Sequence, residues 1–597
     1  MASDRARAGL AASLVSGLVS GLVVLLGVGC AAAPRRFALA PPLWEDDDRA
    51  PVATRPSKYV SGLVADGADQ MFLRKLSDLA ASHDPGEALN VNALDEVPNS
   101  AWFTNRIGRF PMTPEAVARG ACTDRLDATQ GPWVVVAAKP NGANPGFFIK
   151  APNGKRYLLK ADGVLQPERN TAADVIGSKL FYAAGYHVPC YQVAYFDPKI
   201  LTIAPDATAE DALGRDRPIT QADVDAVLGQ CARRKDGLFR AGMSEFVAGK
   251  PLGPFRYEGT RGDDPNDVID HRDRRELRGA KILAAWLGHF DSREQNSLDV
   301  WVEDQGRSYV RHYYIDFGSS FGSRWPIDAM SRRFGFSYYF DTLDVLGDLL
   351  SLGIVDRPWE HVKINPGSEI FGYFEDERFD PTTWKGGYPN PAFERATRRD
   401  QLWMARIIAH FDEAHLRAAI AEAELSDPRA EAWLLQAMRG RQRRIFEDAF
   451  LQDDPLDHWQ LVRRTPGEAR QSLCFENWAT KLGLVPPETV TYKWRFHGGD
   501  DLAELLGWLQ FTPDLEHPER ACVLLPIGHR RPSERTAPSA PDDDPSRYGV
   551  LKVYVHARPG FAPTSVVYLH LYDLGPERGF RLVGLERPPR IDLPPAF

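Results

Sequence analysis

Two stretches of this sequence decide the fold that we predict: GHFDSREQNSLDVW at residues 288–301 and YYIDFGSSFGS at residues 313–323. In the first stretch, Asp291 is followed five residues later by Asn296. In the second stretch, Asp316 lies within the tetrapeptide IDFG. Aspartate and asparagine offer the oxygen ligands that Mg²⁺ prefers, and an aspartate can also accept or orient a proton. We therefore predict a metal site with a nearby base, built from these two stretches.

The sequence upstream of them alternates short strands and turns around a single helix. The runs WVVVAA, FFIK, KRYLLK and YQVAYF have the composition of strands. The turn NGANPG carries Gly142 and Gly146, and glycines let backbone amides approach an anion closely. Lys160 ends the third strand. Asp174 lies in ERNTAADVIGSKLFYAAGY, a predicted helix whose apolar residues fall on one face and which Gly185 ends.

The order of these features resembles that of the protein-kinase-like superfamily. HFDSREQN, which begins at His289, is similar to the H-R-D-x-x-x-x-N catalytic loop, and IDFG supplies the D-F-G that follows it. The resemblance covers about residues 131–450. Its nearest branches are the HipA-type and spore-coat CotH-type kinases, the secreted-protein kinases and the phosphatidylinositol kinases. The segment ADVIGSKLFYAAGYHVP is similar to the HipA-type pattern.

The resemblance implies an α+β fold of two lobes, one small and β-rich and the other mainly helical, with ATP and Mg²⁺ bound between them. It also implies a role for each residue. Gly142 and Gly146 would lie over the phosphates, Lys160 would pair with phosphate oxygens, and Asp174 would hold that lysine in place. Asp291 would act on the acceptor hydroxyl, and Asn296 and Asp316 would bind Mg²⁺.

The sequence departs from the kinase pattern at three places. Phe290 stands where the catalytic-loop arginine is usual, and this argues against control through a phosphorylated activation loop. The A-P-E motif is absent. Asp174 replaces a glutamate, so the helix must sit closer to Lys160 or a water must bridge the pair. Glu168 is the alternative acid, although its place near the helix start suits a capping role better.

The N-terminus predicts export. Arg5 and Arg7 precede LAASLVSGLVSGLVVLLGVGC, an uncharged run that ends at Cys30. The pattern resembles a bacterial lipoprotein signal with Cys30 as the lipidated residue, although Gly27 stands where leucine is usual. The alternative is an uncleaved membrane anchor, because about twenty apolar residues can span a bilayer. In both cases we expect the chain to lie in the bacterial cell envelope, tethered to a membrane on its periplasmic or surface face.

Changes in composition along the chain suggest six segments. A Pro- and Ala-rich stretch follows Cys30, and strand-like runs such as YGVLKVYVHA and TSVVYLHLYDL return near the C-terminus. The predicted segments are 1–30 for the signal, 31–60 for a tether, 61–130 for an N-terminal extension, 131–250 for the small lobe, 251–452 for the helical lobe and 453–597 for a β-rich accessory domain.

Composition excludes several other functions. The net charge of −9 argues against a nucleic-acid partner, and we expect the basic clusters DHRDRRELR and RGRQRR to be solvated helix faces. The six cysteines form no C-x-x-C pair, so no zinc ribbon or thioredoxin motif is indicated. The five cysteines other than Cys30 cannot all pair within one chain.

Two alternatives compete with the kinase interpretation of the loops. GSSFG, Gly318 to Gly322, fits the G-x-S-x-G nucleophile elbow of serine hydrolases. That elbow needs a helix directly after the serine, and Pro326 follows soon afterwards. Taken singly, Asp291 and Asp316 would also fit loop aspartates that cap helices or turns. This second alternative does not explain the ordered set, and His289 suits a structural role that braces the loop.

The sequence therefore predicts a membrane-tethered, kinase-like phosphotransferase that uses ATP and Mg²⁺. Its acceptor is a protein, a lipid headgroup or a small molecule, and nothing in the sequence chooses among them. The main alternative is a catalytically silent kinase fold that acts as a binding or scaffold lipoprotein. The export signal favours this alternative because ATP is scarce outside the cytoplasm. The serine hydrolase is a third possibility.

Overall fold

The computed structural model describes residues 35–60, 69, 86–139, 144–210, 215–352, 354–364, 370–463, 470–499, 502–511, 517–526, 540–556 and 565–588. Residues 40–597 form one compact unit, and the elements given below all belong to it. In the other unit, residues 1–39, the described residues 35–39 form no helix or strand. Cys30 and Gly142 lie outside the described residues. Within the described ranges, no helix has the length and apolar character needed to cross a bilayer.

The strands fall into two groups along the chain, before residue 315 and after residue 455. The first group is β1 Trp133–Ala138, β2 Gly146–Lys150, β3 Arg156–Ala161, β4 Tyr191–Phe196, β5 Leu201–Glu210, β6 Asp216–Pro218, β7 Phe239–Glu245, β8 Lys250–Gly253, β9 Ser297–Asp304 and β10 Arg307–Tyr314. The second group is β11 Leu456–Val462, β12 Ser472–Asn477, β13 Thr491–Gly498, β14 Ala503–Phe511, β15 Arg520–Leu524, β16 Tyr548–His556, β17 Ser565–Asp573 and β18 Phe580–Glu586.

Most of the helices lie between these two groups of strands. In chain order they are α1 Pro114–Arg119, α2 Arg169–Ala184, α3 Gln221–Leu228, α4 Arg275–Leu287, α5 Asp328–Arg333, α6 Thr342–Leu350, α7 Pro391–Glu394, α8 Arg398–Ala409, α9 Glu413–Ala421, α10 Pro428–Gln452 and α11 Trp478–Lys481. The protein is thus mixed in class, with several sheets and eleven helices among its described residues.

A seven-stranded sheet in the order β4-β7-β3-β2-β1-β5-β6 carries the first part of the site. Its pairs are antiparallel except for β1 and β5, which run parallel. The apolar runs that predicted β1 to β4 all form strands of this sheet. Trp133, Phe147 and Tyr157 lie in the core on one face of the sheet.

Helix α2 packs on this sheet and is buried on every side. Fifteen of its sixteen residues are buried, so the single apolar face that we expected is only part of its contact surface. Gly185, with φ of 131°, ends the helix as the sequence predicts. The close packing follows from small residues on both partners: at Gly242 of β7, an added Cβ would lie 3.6 Å from Thr171 Cγ2.

The second part of the site lies at the ends of α4, β9 and β10. Strands β9 and β10 pair antiparallel, as the runs LDVWVED and YVRHYYID predict, and β8 pairs with β9. Helix α4 ends at Gly288, whose φ of 62° is left-handed. The turn after α4 therefore brings the first of the two candidate loops, residues 288–296, to the start of β9.

Two expectations about the helices are wrong. The first basic cluster is not a solvated face, because Arg274, Arg275 and Arg278 are fully buried. Arg275 and Arg278 both pair with Asp400 of α8, at 3.1 and 3.4 Å. Buried cations need such partners because the interior does not solvate charge.

The run LWMARIIAHFDEAHLRAAIAEAE, whose pattern predicts one long helix, is also not one helix. It divides into α8 and α9 between residues 409 and 413. Asp412 caps α9 through a capping box with His415, in which each residue's side chain accepts from the other's backbone N–H. A strong N-cap in mid-run starts a new helix at that point.

The C-terminal part of the chain contains a three-stranded sheet, β11-β12-β15, and a five-stranded antiparallel sheet, β14-β13-β16-β17-β18. This matches the strand-like sequence after residue 453. Residues of both sheets, such as Phe475 and Val553, belong to the same apolar core as helices α4 and α8. The separate accessory domain and the arrangement in two lobes stay predictions.

Two disulfides link parts of the chain, although the sequence did not predict them. Cys122 pairs with Cys190, directly before β4, and Cys474 pairs with Cys522 across β12 and β15. Cys231 is a free, buried cysteine. Disulfides persist in oxidising compartments and are rare in the cytosol, and the predicted export stays a prediction.

Candidate functional site

Lys160 lies at the centre of the candidate site, between two carboxylates. Its Nζ is 3.3 Å from Asp174 Oδ2 and 2.7 Å from Asp316 Oδ1. Lys160 and Asp174 are buried, whereas the Asp316 side chain is 36% exposed. A strand, a helix and a loop that are distant in sequence therefore meet at one ammonium group. This is the juxtaposition that we inferred from the order of the motifs.

Strand pairing fixes the position of Lys160. It faces Gly146 of β2 on one side and Gly242 of β7 on the other. A Cβ added at Gly146 would lie 2.1 Å from Leu159 O, so only glycine fits there. The observed role of Gly146 is thus to let β2 and β3 approach closely. Gly142, which we predicted to lie over the phosphates, is outside the described residues.

Asp174 contacts Lys160 directly, without the bridging water that we considered. Close packing of α2 makes this possible: an added Cβ at Gly177 would lie 2.7 Å from Phe317 Cβ. Asp174 Oδ1 is buried and has no hydrogen-bond partner among the described residues. The alternative acid, Glu168, accepts a hydrogen bond from Ser426 N–H at 2.8 Å and is not paired with Lys160.

Asp316 is held in an uncommon backbone conformation. Its φ of 58° is left-handed, a region that residues other than glycine rarely occupy. Its backbone N–H donates to the Tyr191 hydroxyl at 3.0 Å. The next residue, Phe317, is fully buried against Phe181 and His289, with ring centroids 4.8 and 5.8 Å away. The buried ring and the tyrosine together aim the Asp316 carboxylate at Lys160.

Asp291 and Asn296 form the second half of the site. Asn296 Nδ2 donates to Asp291 O at 2.7 Å and to Asp291 Oδ2 at 3.0 Å. Arg293 Nε lies 2.9 Å from Asp291 Oδ1. The backbone N–H of Ile315 donates to Asn296 O at 3.1 Å. That bond joins the two loops one residue before Asp316.

The charges shift the pKa of each acid in a direction that burial and neighbours explain. Burial would raise the pKa of Asp316, but the Lys160 ammonium holds it down at about 2. Burial raises the pKa of Asp174 to about 6 despite Lys160, and nearby Asp316 adds to the rise. Burial also raises the pKa of Asp291 to about 6, while Arg293 opposes the rise. Such separated values are common where acids have different tasks.

His289 has the structural role that we expected. Its backbone N–H donates to Ala284 O at 2.8 Å and so helps to end α4. Burial lowers the pKa of its imidazole to about 4, which keeps the ring neutral at neutral pH. The ring packs against Phe181 and Phe317. It therefore braces the loop from the apolar side.

Sequence reasoning missed three polar residues around the start of α2. Gln166 accepts from Arg324 N–H at 2.9 Å and donates to Gly322 O at 3.0 Å. Arg169 is buried and donates to Gly318 O. These contacts tie the helix start to the loop that follows Asp316. The only available signal was the polar run QPERN before an otherwise apolar helix.

The third missed residue is Asn170, which connects three parts of the site. Its Oδ1 accepts from Asn144 Nδ2 at 2.9 Å, next to the turn between β1 and β2. A Cβ added at Gly318 would lie 2.2 Å from that same Oδ1 and 3.3 Å from Asp316 Oδ1. Asn170 Nδ2 is buried and has no partner within the described residues. A buried, unpaired amide beside a carboxylate is a donor that a ligand would satisfy.

The serine-hydrolase alternative does not fit this geometry. Ser320, the serine of the G-x-S-x-G match, is fully buried, and its Oγ has no hydrogen-bond partner in the described part of the chain. The next helix, α5, begins only at Asp328. A nucleophilic serine needs both an adjacent base and exposure at a strand-to-helix turn.

The donor set fits a hard divalent cation that keeps part of its water shell. Asn296 and Asp316 offer oxygens next to Asp291, and the Asp316 carboxylate is the most exposed group of the three. The described residues contain no group of three or more His, Cys, Asp or Glu that would hold a metal alone. Mg²⁺ in nucleotide sites uses one or two protein oxygens, with phosphates and water completing its shell.

Comparisons with known proteins find distant similarity to solved structures, too low to carry an argument about the fold. No family model matches the sequence, and no curated protein matches it. Among solved structures, the Golgi casein kinase with Mn/ADP bound matches at 11% identity and a TM-score of 0.27, covering 65% of this chain and 88% of that one. The structure of hydra Fam20 with sugar matches at 12% identity and 0.22, covering 51% and 96%. Likeness this low carries no weight for the site or its chemistry.

Proposed function

We propose that this chain is a kinase-like phosphotransferase that uses ATP and a divalent metal, acts on an unidentified acceptor and is tethered to a membrane of the cell envelope. One observation carries the proposal. Lys160 contacts both Asp174 and Asp316, at 3.3 and 2.7 Å. The residue before Asp316, Ile315, donates its backbone N–H to the carbonyl oxygen of Asn296. This brings a phosphate-pairing cation, metal ligands and a candidate base into one place.

The residues fit a nucleotide with its metal. Asn296 and Asp316 would hold Mg²⁺, and Lys160 would pair with phosphate oxygens. The unpaired Nδ2 of Asn170 is a further donor for an anionic ligand. The metal, when bound, neutralises charge on the transferring phosphoryl group. Positioning and neutralisation of charge are the main tasks of a protein in this reaction.

Asp291 would act on the acceptor hydroxyl. In the transfer, a bond forms between the acceptor oxygen and the γ-phosphorus, the bond from that phosphorus to the β–γ bridging oxygen breaks, and ADP leaves. The acceptor proton goes to an Asp291 carboxylate oxygen. Because the pKa of Asp291 is about 6, most of the group is ionised at pH 7 and can accept this proton. Asn296 orients the carboxylate through its side-chain amide.

The export part of the proposal rests on the N-terminal run and agrees with the two disulfides. Lipidation of Cys30 belongs to the same proposal. Metabolic lipid labelling of the parent chain and of Cys30→Ala tests it. An unlabelled parent would exclude the lipoprotein form and leave an uncleaved anchor.

The nucleotide function is tested by thermal unfolding of the full chain with ATP, with and without Mg²⁺. We expect Mg²⁺-ATP to stabilise the parent, by about 2.7 kcal/mol at a ligand concentration of 100 times Kd. Asp316→Asn should lose the Mg²⁺-dependent part. Asp225→Asn, a matched change on the exposed side of α3, should keep it. A parent that gains no stability from Mg²⁺-ATP would refute the proposal.

A silent, nucleotide-binding protein is the second candidate, and one contact favours it. Arg293 pairs with Asp291 at 2.9 Å and competes with an acceptor for that carboxylate. Asp291→Asn separates the two functions. An active enzyme should keep Mg²⁺-ATP binding in this variant but lose roughly 10²- to 10⁴-fold in ADP formation when envelope extract supplies acceptors. A silent protein should form no ADP even in the parent.

A further inference from the structure

Helix α6, Thr342–Leu350, exposes its apolar side chains to solvent. None of its nine residues is buried. Leu343 is 76% exposed and Leu350 is 83% exposed. The exposed apolar side chains of this surface are Leu343, Val345, Leu346, Leu349, Leu350, Leu352, Ile354 and Val355, and we call them the α6 face.

One carboxylate of the same helix, Asp344, points into the protein, whereas the Asp348 side chain is 55% exposed. The Asp344 side chain is only 14% exposed and accepts from Arg357 Nη1 at 2.9 Å. Ser337 also donates to Asp344. Asp348, one turn later, accepts from Arg357 Nη2 at 2.7 Å. The helix is thus inverted: an amphipathic surface helix usually turns its apolar stripe to the core and its charges to water.

The geometry of a helix separates these two sides cleanly. At 100° per residue, Leu343, Leu346 and Leu350 lie within about 60° of one another. Asp344 and Asp348 fall on the opposite side. The arc that carries Leu343, Leu346 and Leu350 therefore has no ionisable group, although Asp348 on the other side of the helix is 55% exposed. A contiguous apolar surface without charge marks a contact with a partner or a membrane.

The α6 face adjoins the candidate site. The segment between Asp316 and α6 packs on the residue before Asp291, with the rings of Phe290 and Phe334 stacked at 3.8 Å. Tyr339, three residues before α6, packs against Tyr388 at 4.9 Å. Trp325 and Ile327 of this segment are exposed apolar residues as well. Trp325 lies beside Phe290 and stacks on Tyr339 at 5.3 Å, so an exposed apolar side chain stands between the Asp291 loop and the start of α6.

A second copy of the chain is a poor occupant for this surface. A buried Leu or Val side chain covers on the order of 60–120 Å², so these eight partly exposed side chains would bury on the order of 500 Å². A stable protein interface buries about 800 Å² on each partner, polar surface included, so a second copy would also have to bury the exposed carboxylates that flank the face, Asp348 and Asp356. A lipid surface needs neither a minimum area nor a charge.

The sequence supplies a second membrane-directed feature. Residues 10–30, outside the described part of the chain, form an uncharged apolar run preceded by Arg5 and Arg7. A chain that is already attached at one point gains binding from a second, weaker contact, because the second contact is intramolecular. A small apolar face is sufficient under that condition.

We infer that the α6 face lies against the lipid surface of the membrane to which the chain is tethered. If the proposed function holds, on which this step rests, the neighbouring Asp291 would meet acceptors presented at the membrane–water interface. A lipid headgroup or a lipid-attached group is then the acceptor class that the placement favours.

An environment-sensitive fluorophore at one cysteine tests the contact without nucleotide or metal. Leu350→Cys and the matched control Ala226→Cys, on the exposed side of α3, are made in the full chain, labelled with an NBD maleimide and reconstituted into phosphatidylcholine vesicles. The labelled parent corrects for the native cysteines. We expect the label at 350, and not the one at 226, to emit at shorter wavelength and to be quenched by lipids with nitroxide-labelled chains.

Two other outcomes would overturn the inference that the α6 face contacts lipid. Equal emission at the two positions would mean that α6 stays in water. A blue shift at position 350 that grows with the protein-to-lipid ratio and resists the lipid nitroxide would assign the face to a second copy. The result is independent of ATP binding, so a failure here leaves the thermal-unfolding test of the phosphotransferase unaffected.

Discussion

Helices α2 and α6 reverse the usual relation between composition and burial. Helix α2 contains Arg, Asn, Asp and Lys residues, yet fifteen of its sixteen residues are buried. Helix α6 is mostly leucine, valine and aspartate, yet none of its residues is buried. The difference shows that burial depends on what the surroundings offer. In α2, Asp174 and Lys179 have charged or carbonyl partners, whereas the apolar side chains of α6 are left 45–83% exposed.

The largest difference in stability is expected between two leucine-to-alanine variants, one in each helix. Leu180→Ala, in the core around α2, should lower the free energy of unfolding by about 2–5 kcal/mol, because it leaves a cavity. Leu350→Ala should change it by less than about 0.5 kcal/mol, since Leu350 is exposed. Chemical denaturation of both variants measures the pair. A similar loss in both would mean that α6 is buried in solution.

The pH dependence of the free energy of unfolding tests whether Lys179 of α2 is buried as a charged group. Burial lowers the pKa of Lys179 to about 8, although Glu422 opposes this, whereas an unfolded lysine titrates near 10.4. The unfolded chain binds the proton more strongly, so stability should rise as the pH rises from about 8 to about 10.4. The gain should reach about 3 kcal/mol at most.

Lys179→Met is the control for that titration. Unfolding of parent and variant is compared at pH 7.5 and pH 10, so that titrations common to both cancel. The stability difference between the two pH values should be smaller in the variant, because the methionine carries no proton. An identical pH dependence in both chains would show that Lys179 is not the group responsible.

The smallest expected effect comes from one glycine in each helix. Gly177→Ala should cost about 1–3 kcal/mol, because the added Cβ would meet Phe317 at 2.7 Å in a packed core. Gly347→Ala meets only the end of the Arg357 side chain, and alanine favours the helix by about 1 kcal/mol. We expect that variant to be neutral or slightly stabilised. Thermal unfolding shows whether each substitution lowers or raises the stability of the protein.

Much of the site was predictable from short sequence motifs and from the residue patterns of the strands. The order of the motifs agrees with two observed groups of contacts: Lys160 with Asp174 and Asp316, and Asp291 with Asn296. The direct Lys160–Asp174 contact was not predictable, since it depends on Gly177 and Gly242 letting α2 approach the sheet and Phe317. Spacing in a sequence does not specify how closely two elements pack.

Features that depend on distant partners were missed or predicted wrongly. Arg275 looks solvent-exposed in sequence, and only the fold supplies Asp95 and Asp400 as its partners. Asn170 looks like an ordinary polar residue at a helix start until Gly318 and Asn144 are placed beside it. The apolar residues of α6 would fit a core helix by pattern alone. Arg357 pairs with both aspartates of the helix and fixes it with Asp344 turned inward.

The disulfide between Cys122 and Cys190 bears on when the candidate site around Asp316 becomes fully formed. Cys190 directly precedes Tyr191, and the hydroxyl of Tyr191 holds the backbone of Asp316 in its left-handed conformation. A compartment that keeps thiols reduced would leave this link open. Under the proposed export, the newly made polypeptide would stay latent during synthesis, and its maturation would be completed only after it leaves the cytoplasm.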